Sequence, residues 1–152
     1  MSKNIGVHYS TGTDDWATPR PFFNRLDAEF HFTLDAAASD ENRLCHHYFT
    51  ETEDGLLQSW YGVVFCNPPY SSVAKWIEKA YRESLLGATV VLLIPSRTDT
   101  AAWHRFIFPH AAEIRFVRGR LKFGGSANSA PFPSAVIVFR PGHVGGPQVS
   151  TL

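Results

Sequence analysis

Val63-Val64-Phe65-Cys66-Asn67-Pro68-Pro69-Tyr70 passes from four apolar residues straight into a rigid tetrapeptide that is first polar and then aromatic. A short apolar run bounded in this way reads as a buried strand, with the tetrapeptide at its C-terminal end. Proline fixes φ and has no N–H, and a residue before proline is pushed toward extended geometry. Asn67 and Pro68 are therefore both restricted, and with Pro69 the segment is stiff before any ligand arrives. The Asn67 side-chain carbonyl and the Pro68 main-chain carbonyl can accept from the two N–H bonds of one planar amine. Such an amine on a nucleobase is a poor nucleophile because its lone pair is spread into the ring. Two fixed acceptors aim that lone pair, which suits methyl transfer. Tyr70 offers a flat face to an unstacked base, a contact worth about 1–3 kcal/mol. Asparagine cannot take a proton, so Asn67 is not a general base. The bland alternative is a strand-ending turn with Tyr70 capping the core.

Working outward, the pattern alternates helix and strand. Thr18-Pro19 reads as a helix start, Thr as N-cap and Pro at the first position, followed by the stripe Phe22, Phe23, Leu26 and Phe30. Phe32-Thr33-Leu34 is a short strand ending at Asp35-Ala36-Ala37-Ala38-Ser39, where small residues let a ligand approach the backbone and Asp35 offers a carboxylate. Residues 40–45 suggest a short helix, and Tyr48-Phe49 a strand fragment before the acidic turn 51–55. After the tetrapeptide, Ser71 or Ser72 can cap a helix carrying Val73, Trp76, Ile77, Ala80 and Ser84 on one face up to Gly87. Residues 89–94 read as a strand buried on both faces, and Thr98 with Asp99 can start a helix through Trp103 and Phe106. Residues 114–117 and 135–139 are two more strands, joined by a segment too long and too rich in Gly, Ser and Pro to be a plain connection. Residues 141–147 and the stretch after them read as a frayed tail.

At 152 residues the chain is expected to be one domain, with residues 1–14 an N-terminal segment and 141–152 a flexible tail. Its 44% hydrophobic content with 12 Phe and 4 Trp excludes a disordered chain. Cys45 and Cys66 lie apart, and neither a charged-then-apolar leader nor a membrane-length apolar run is visible, so a reducing cytoplasm is the simplest location. The formal net charge is zero, but residues 1–70 carry −6 and residues 71–152 carry +6. The second half is thus the phosphate-facing candidate, densest at Arg115-Phe116-Val117-Arg118-Gly119-Arg120-Leu121-Lys122-Phe123. The same stretch also reads as the solvated face of an edge strand.

The chain resembles the small phage-type DNA N6-adenine methyltransferases, the phage Dam family. The resemblance spans residues 15–139 and rests on Asp15-Trp16-Ala17-Thr18-Pro19, Leu34-Asp35-Ala36-Ala37-Ala38, Asp54-Gly55-Leu56, Asn67-Pro68-Pro69-Tyr70, Gly119-Arg120-Leu121-Lys122-Phe123 and Ala130-Pro131-Phe132-Pro133. It implies a compact class I, Rossmann-like methyltransferase fold: an α/β three-layer sandwich with a mostly parallel sheet and an antiparallel C-terminal strand. It implies S-adenosylmethionine as donor, S-adenosylhomocysteine as product and adenine in double-stranded DNA as acceptor, with no metal. Carried over by motif, Trp16, Thr18 and Pro19 resemble the segment that covers the donor, and Asp35, Ala36 and Ala37 the cofactor loop. Asp54 would lie near the donor's adenosine. Asn67, Pro68, Pro69 and Tyr70 match the amine-orienting motif, with Asn67 also counted among the residues that bind the donor. Arg118, Arg120, Lys122, Phe123 and Phe132 resemble the target-side loop, which with Tyr70 would contact DNA. The cofactor loop departs from the glycine-rich pattern in having three alanines, and only 32 residues separate Asp35 from Asn67, so Glu51, Glu53 and Asp54 are rivals for the ribose.

The same tetrapeptide would also suit cytosine N4, an RNA base or a protein glutamine amide. A relative that binds DNA without catalysis is an alternative of another class. Cys45-His46-His47 makes a poor tetrahedral ligand set, and His8, His31, His104, His110 and His143 are scattered. The sequence leaves the oligomeric state open, with a monomer favoured, and no membrane partner is expected.

Overall fold

The structure, a computed structural model, describes residues 16–125 and 128–152. Six strands, β1 (Leu34–Asp35), β2 (Val63–Cys66), β3 (Thr89–Pro95), β4 (Glu113–Phe116), β5 (Ser134–Phe139) and β6 (Gln148–Thr151), form one sheet in the order β1-β2-β3-β5-β4-β6. The pairs β1/β2, β2/β3 and β4/β6 are parallel, and β5 runs antiparallel to both β3 and β4. This is the mostly parallel α/β sheet expected, with the antiparallel strand inserted into its interior.

Strand side chains alternate between two cores. Val64, Cys66, Val90, Leu92, Ile94, Ala135, Ile137 and Phe139 share one face with Trp76, Ile77 and Ala80 of helix α2 (Val73–Leu85) and with Trp103 and Ile107. Phe65, Val91, Leu93, Val136 and Val138 share the other with Phe22, Phe23, Leu26 and Phe30 of helix α1 (Arg20–Phe30). Burial on both faces explains why the strands read as continuous apolar runs, and gives the three layers.

Several local expectations are corrected. Pro19, not Thr18, is the N-cap of α1: the Phe23 N–H donates to the Pro19 carbonyl at 3.0 Å, and no side chain caps the helix. Residues 40–45 form a turn rather than a helix, because Ser39 and Asn42 capture one another's N–H through their side chains (2.8 and 3.1 Å). The helix expected through Trp103 becomes a π-helical turn, Trp103–Ile107, followed by the short α turn Phe108–His110; Pro109 offers no N–H to an α-helical ladder, and the Phe108 N–H reaches back to the Trp103 carbonyl. The tail is not frayed along its length. Gln148–Thr151 adds a sixth strand to the open edge of β4, registered Ile114 to Val149, after Gly142 (φ 76°) and Gly145 (φ 97°) reverse the chain. Residues 1–14 and Asp15 lie outside the described residues. Among the described residues no helix is long and apolar enough to cross a membrane.

Candidate active site

Parallel pairing of β1 with β2 sets Asp35 beside Phe65, and the Ala36 N–H donates to the Phe65 carbonyl at 3.0 Å. The alanine loop leaving β1 therefore lies alongside the tetrapeptide leaving β2. Tyr48 bridges Asp35 on the far side, which is the strand fragment the sequence suggested. A cavity of about 710 Å³ opens at these C-terminal strand ends, the size of a small-molecule site. Trp16, Thr18, Asp35, Ala36, Ala37, Asp54 and Asn67 all line it, and so do Pro69 and Phe123. Pro19, Pro68 and Tyr70 do not form its wall. Segments remote in sequence thus meet at one cavity.

Gly55 holds the acidic turn against this cavity. A Cβ there would lie 2.2 Å from the Ala36 carbonyl oxygen, so only glycine allows the two loops to touch. The Gly55 carbonyl accepts from Trp60 Nε1 (2.8 Å), and the Trp60 main-chain N–H donates to the buried Glu83 carboxylate on α2 (2.7 Å). The site loop is thereby pinned to a core helix. Asp54 precedes Gly55 at φ 61° and caps the turn through Oδ1, which accepts from the Leu56 N–H at 3.0 Å.

Asn67 is the most fully specified side chain of the site. Its Nδ2 donates to the Trp16 carbonyl at 2.5 Å and to Thr18 Oγ1 at 2.9 Å, and its Oδ1 accepts from the Tyr70 hydroxyl at 2.6 Å. Burial pushes the Tyr70 pKa up, so that hydroxyl stays protonated and donates. A carbonyl oxygen has two lone pairs, so Oδ1 retains one. Thr18, expected to cap α1, has turned its hydroxyl to Asn67 instead.

Tyr70 differs from its expected pose. It is buried, its ring meets Phe132 (5.4 Å, 82°) and Phe123 (6.4 Å, 83°) edge to face, and the hydroxyl points inward. Trp16 packs on the same two phenylalanines, and the Gly124 N–H donates to the Ala17 carbonyl at 2.9 Å. Phe123 and Phe132 are buried too, whereas Arg118, Arg120 and Lys122 are exposed, and no described carboxylate pairs with them. Arg115, in the same basic stretch, is buried in ion pairs with Glu29 and Glu113. Arg97, which the sequence reading passed over, is exposed at the end of β3 with its guanidinium 5.9 Å from the Phe132 ring centre.

The cavity is acidic. Asp35, Glu41, Glu51 and Asp54 line it, and among the described residues no Lys or Arg does. Asp35 is not the open carboxylate expected: it is only 3% exposed, and its Oδ2 accepts from the Leu44 N–H at 3.1 Å, which ties the following loop to β1. Desolvation pushes its pKa up to about 6, and the N–H groups of Leu44 and Ala37 offset only part of that. Among the rivals, Glu51 and Asp54 face the cavity, while Glu53 is occupied by the Thr50 N–H and hydroxyl (2.7 Å each). Glu41 and Asn42 line the cavity as well, which a helix over residues 40–45 does not reveal. The reciprocal Ser39–Asn42 pairing was the signal available there. Among the described residues no three His, Cys, Asp or Glu side chains group to hold a metal, and burial pushes the Cys45 thiol up to about 12.

A sequence profile of the family described as DNA N-6-adenine-methyltransferase (Dam) matches residues 8–141. A protein of Escherichia phage T1 named DNA N-6-adenine-methyltransferase is 33% identical over 112 residues, covering 71% of this chain and 46% of its own length. A protein of Haemophilus phage HP1 with the same name is 26% identical over 137 residues, covering 84% of this chain and 79% of its own. The chain thus spans about half the length of the T1 relative and most of the HP1 relative. A solved structure described as a predicted O-methyltransferase from Agrobacterium tumefaciens superposes with a TM-score of 0.43 at 19% identity, covering 66% of this chain and 46% of the other.

Proposed function

The chain belongs to the DNA N-6-adenine-methyltransferase (Dam) family, and from that premise we propose that it transfers a methyl group from S-adenosylmethionine to the exocyclic N6 amine of adenine in double-stranded DNA. The observation that carries the reading is the Asn67 side chain, whose carbonyl keeps a lone pair beyond its bond to Tyr70 at the wall of a cavity whose described lining holds four carboxylates and no Lys or Arg.

The residues fit the donor. A sulfonium and an ammonium are both cationic, and four carboxylates with no Lys or Arg among the described lining residues suit them, while Ala36, Ala37, Leu44, Phe49 and Phe65 give apolar wall for a purine. Trp16, Thr18, Asp35, Ala36, Ala37 and Asp54 would hold the donor, with Glu51 beside Asp54 as the other candidate for the ribose hydroxyls. Bound there, S-adenosylmethionine supplies an electrophilic methyl on a positively charged sulfur.

The chain's own residues do the rest by position. Asn67 Oδ1 and the Pro68 carbonyl accept from the two amine N–H bonds and turn the nitrogen lone pair toward the cavity; neither group takes the proton, which the methylated amine gives up to water. Fixed dipoles of this kind cost no reorganisation during reaction. A base inside a duplex cannot reach Asn67, so adenine is flipped out at a cost of a few kcal/mol. Tyr70 stacks on it once Phe123 and Phe132 yield its covered face. Arg118, Arg120 and Lys122 hold the DNA backbone.

The test is transfer of isotopically labelled methyl from S-adenosylmethionine to unmethylated duplex DNA, followed by digestion to nucleosides and mass identification. Label in N6-methyladenosine supports the reading. Label in cytosine moves the acceptor, and none in DNA from a folded protein that binds the donor refutes a DNA substrate.

A further inference from the structure

We propose that Thr18 is a positioning residue for methyl transfer: with the Trp16 carbonyl it locks the Asn67 amide so that oxygen, not nitrogen, is left for the substrate amine. The inference rests on the function proposed above and adds a residue to it.

The two ends of an asparagine amide are nearly equal in shape and opposite in hydrogen bonding. Rotation by 180° about the terminal torsion would exchange Oδ1 for Nδ2, and a donor would then face the amine that the motif must hold. Nothing within Asn67-Pro68-Pro69-Tyr70 forbids that, because the Tyr70 hydroxyl can donate or accept. The decision comes from 49 and 51 residues away. The Trp16 carbonyl can only accept, and it lies 2.5 Å from Nδ2; in the flipped amide two acceptor oxygens would meet there. Thr18 Oγ1 takes the second Nδ2 hydrogen at 2.9 Å. Both amide hydrogens are thus spent on residues 16–18, and Oδ1 is turned toward Tyr70.

This also accounts for the helix start. A Thr before Pro at the entrance to α1 is an ordinary N-cap, yet its hydroxyl caps nothing and α1 begins without a side-chain cap. The segment that carries the lock is braced in turn, by the Gly124 N–H on the Ala17 carbonyl and by Trp16 against Phe123 and Phe132. The orientation of the catalytic amide therefore depends on contacts between three parts of the chain.

The experiment compares wild type with Thr18→Val, which keeps the shape and removes the acceptor, and Thr18→Ser, which keeps the acceptor. Methyl transfer is measured at saturating donor and DNA, donor affinity by calorimetry, and the Asn67 Nδ2 resonances by NMR of protein labelled at asparagine nitrogen. Loss of one hydrogen bond predicts a fall in kcat of about tenfold in Thr18→Val at saturating donor, with DNA KM little changed; donor Kd, read separately, weakens only as far as the loss of one cavity-wall contact. Thr18→Ser recovers most of that fall, and the Nδ2 proton shifts move in the valine variant only. An unchanged kcat in a folded Thr18→Val protein, or Nδ2 resonances that do not move, overturns the inference. If Thr18→Val does not fold, Thr18→Ser against Thr18→Ala is read by the same signals. Failure of the wild type itself to methylate DNA would count against the proposed function alone, because the Nδ2 resonances report the lock without any substrate.

Discussion

Two regions of this molecule treat charge in opposite ways. Along the β4 edge, Arg115 bonds both oxygens of Glu29 (2.8 and 2.7 Å) and one of Glu113 (2.9 Å), and Arg140 takes the other oxygen of Glu113 at 3.0 Å. Hydrogen bonds from Arg115 hold Glu29 below the ordinary carboxylate range. Burial raises Glu113, but its bonds to Arg115 and Arg140 outweigh that and leave it lowered. At the C-terminal ends of β1 and β2 the reverse holds: among the described residues the partners of buried Asp35 are backbone N–H groups, and burial raises it to about 6. A charge network that is complete serves stability, whereas a buried carboxylate without a cation is a cost that an incoming cation relieves. The contrast separates structural from functional electrostatics and supports the assignment of the cavity to a cationic donor.

The largest expected effect lies in the site and leaves the paired region untouched. Asn67→Ala should lower methyl transfer by about 10²–10³-fold, as removal of a fixed dipole does elsewhere, while calorimetry still finds donor binding. Loss of donor affinity with transfer per bound donor preserved would assign Asn67 to the donor instead. Next, the exposed cations are compared with the paired ones. Replacing Arg118, Arg120 and Lys122 together by alanine should reduce the slope of log affinity against log salt by about one per residue, with the melting temperature hardly moved. An unchanged slope would place the DNA face elsewhere.

In the paired region the outcome should be the converse. Arg115→Met leaves Glu29 and Glu113 without their shared cation and should cost about 2–3 kcal/mol in denaturant melts, somewhat less than a fully buried pair because Glu29 is half exposed. Transfer by the protein that remains folded should be near normal. Depressed carboxylates give stability that is present above their unfolded values and is lost as pH falls through the lowered folded values. Wild type should therefore lose more stability below about pH 4 than Arg115→Met does. The smallest effect has the opposite pH dependence. The raised Asp35 binds a proton more tightly folded than unfolded, so stability falls as pH climbs from about 4 to about 6 and stays low above. Asp35→Asn should remove that decline and stabilise the donor-free protein near pH 7 by on the order of 1–2 kcal/mol, while weakening the donor. A variant less stable at pH 7 than wild type would show that the Leu44 and Ala37 contacts need the charge.

Legibility was uneven for physical reasons. The strands at 63–66, 89–95 and 134–139 were readable because a sheet buried on both faces demands unbroken apolar runs, and α1 and α2 because their stripes match a helical period. The stretch 40–45 was misread because side chains captured the backbone there, and β6 because a strand with exposed residues owes its existence to the open edge of β4. Tyr70 was legible as the end of the stiff tetrapeptide, but its covering by Phe123 and Phe132 was not written in its own neighbourhood.

By itself the sequence determined the alternation of elements, the stiff Asn67-Pro68-Pro69-Tyr70 strand end and the motifs that mark the family, because proline geometry, glycine tolerance and apolar period act within a few residues. Only the tertiary structure decided which atom of Asn67 is left over, which carboxylates share the cavity and which cations are paired. Those outcomes depend on hydrogen bonds and burial between residues as far apart as 86 positions, where no local rule reaches.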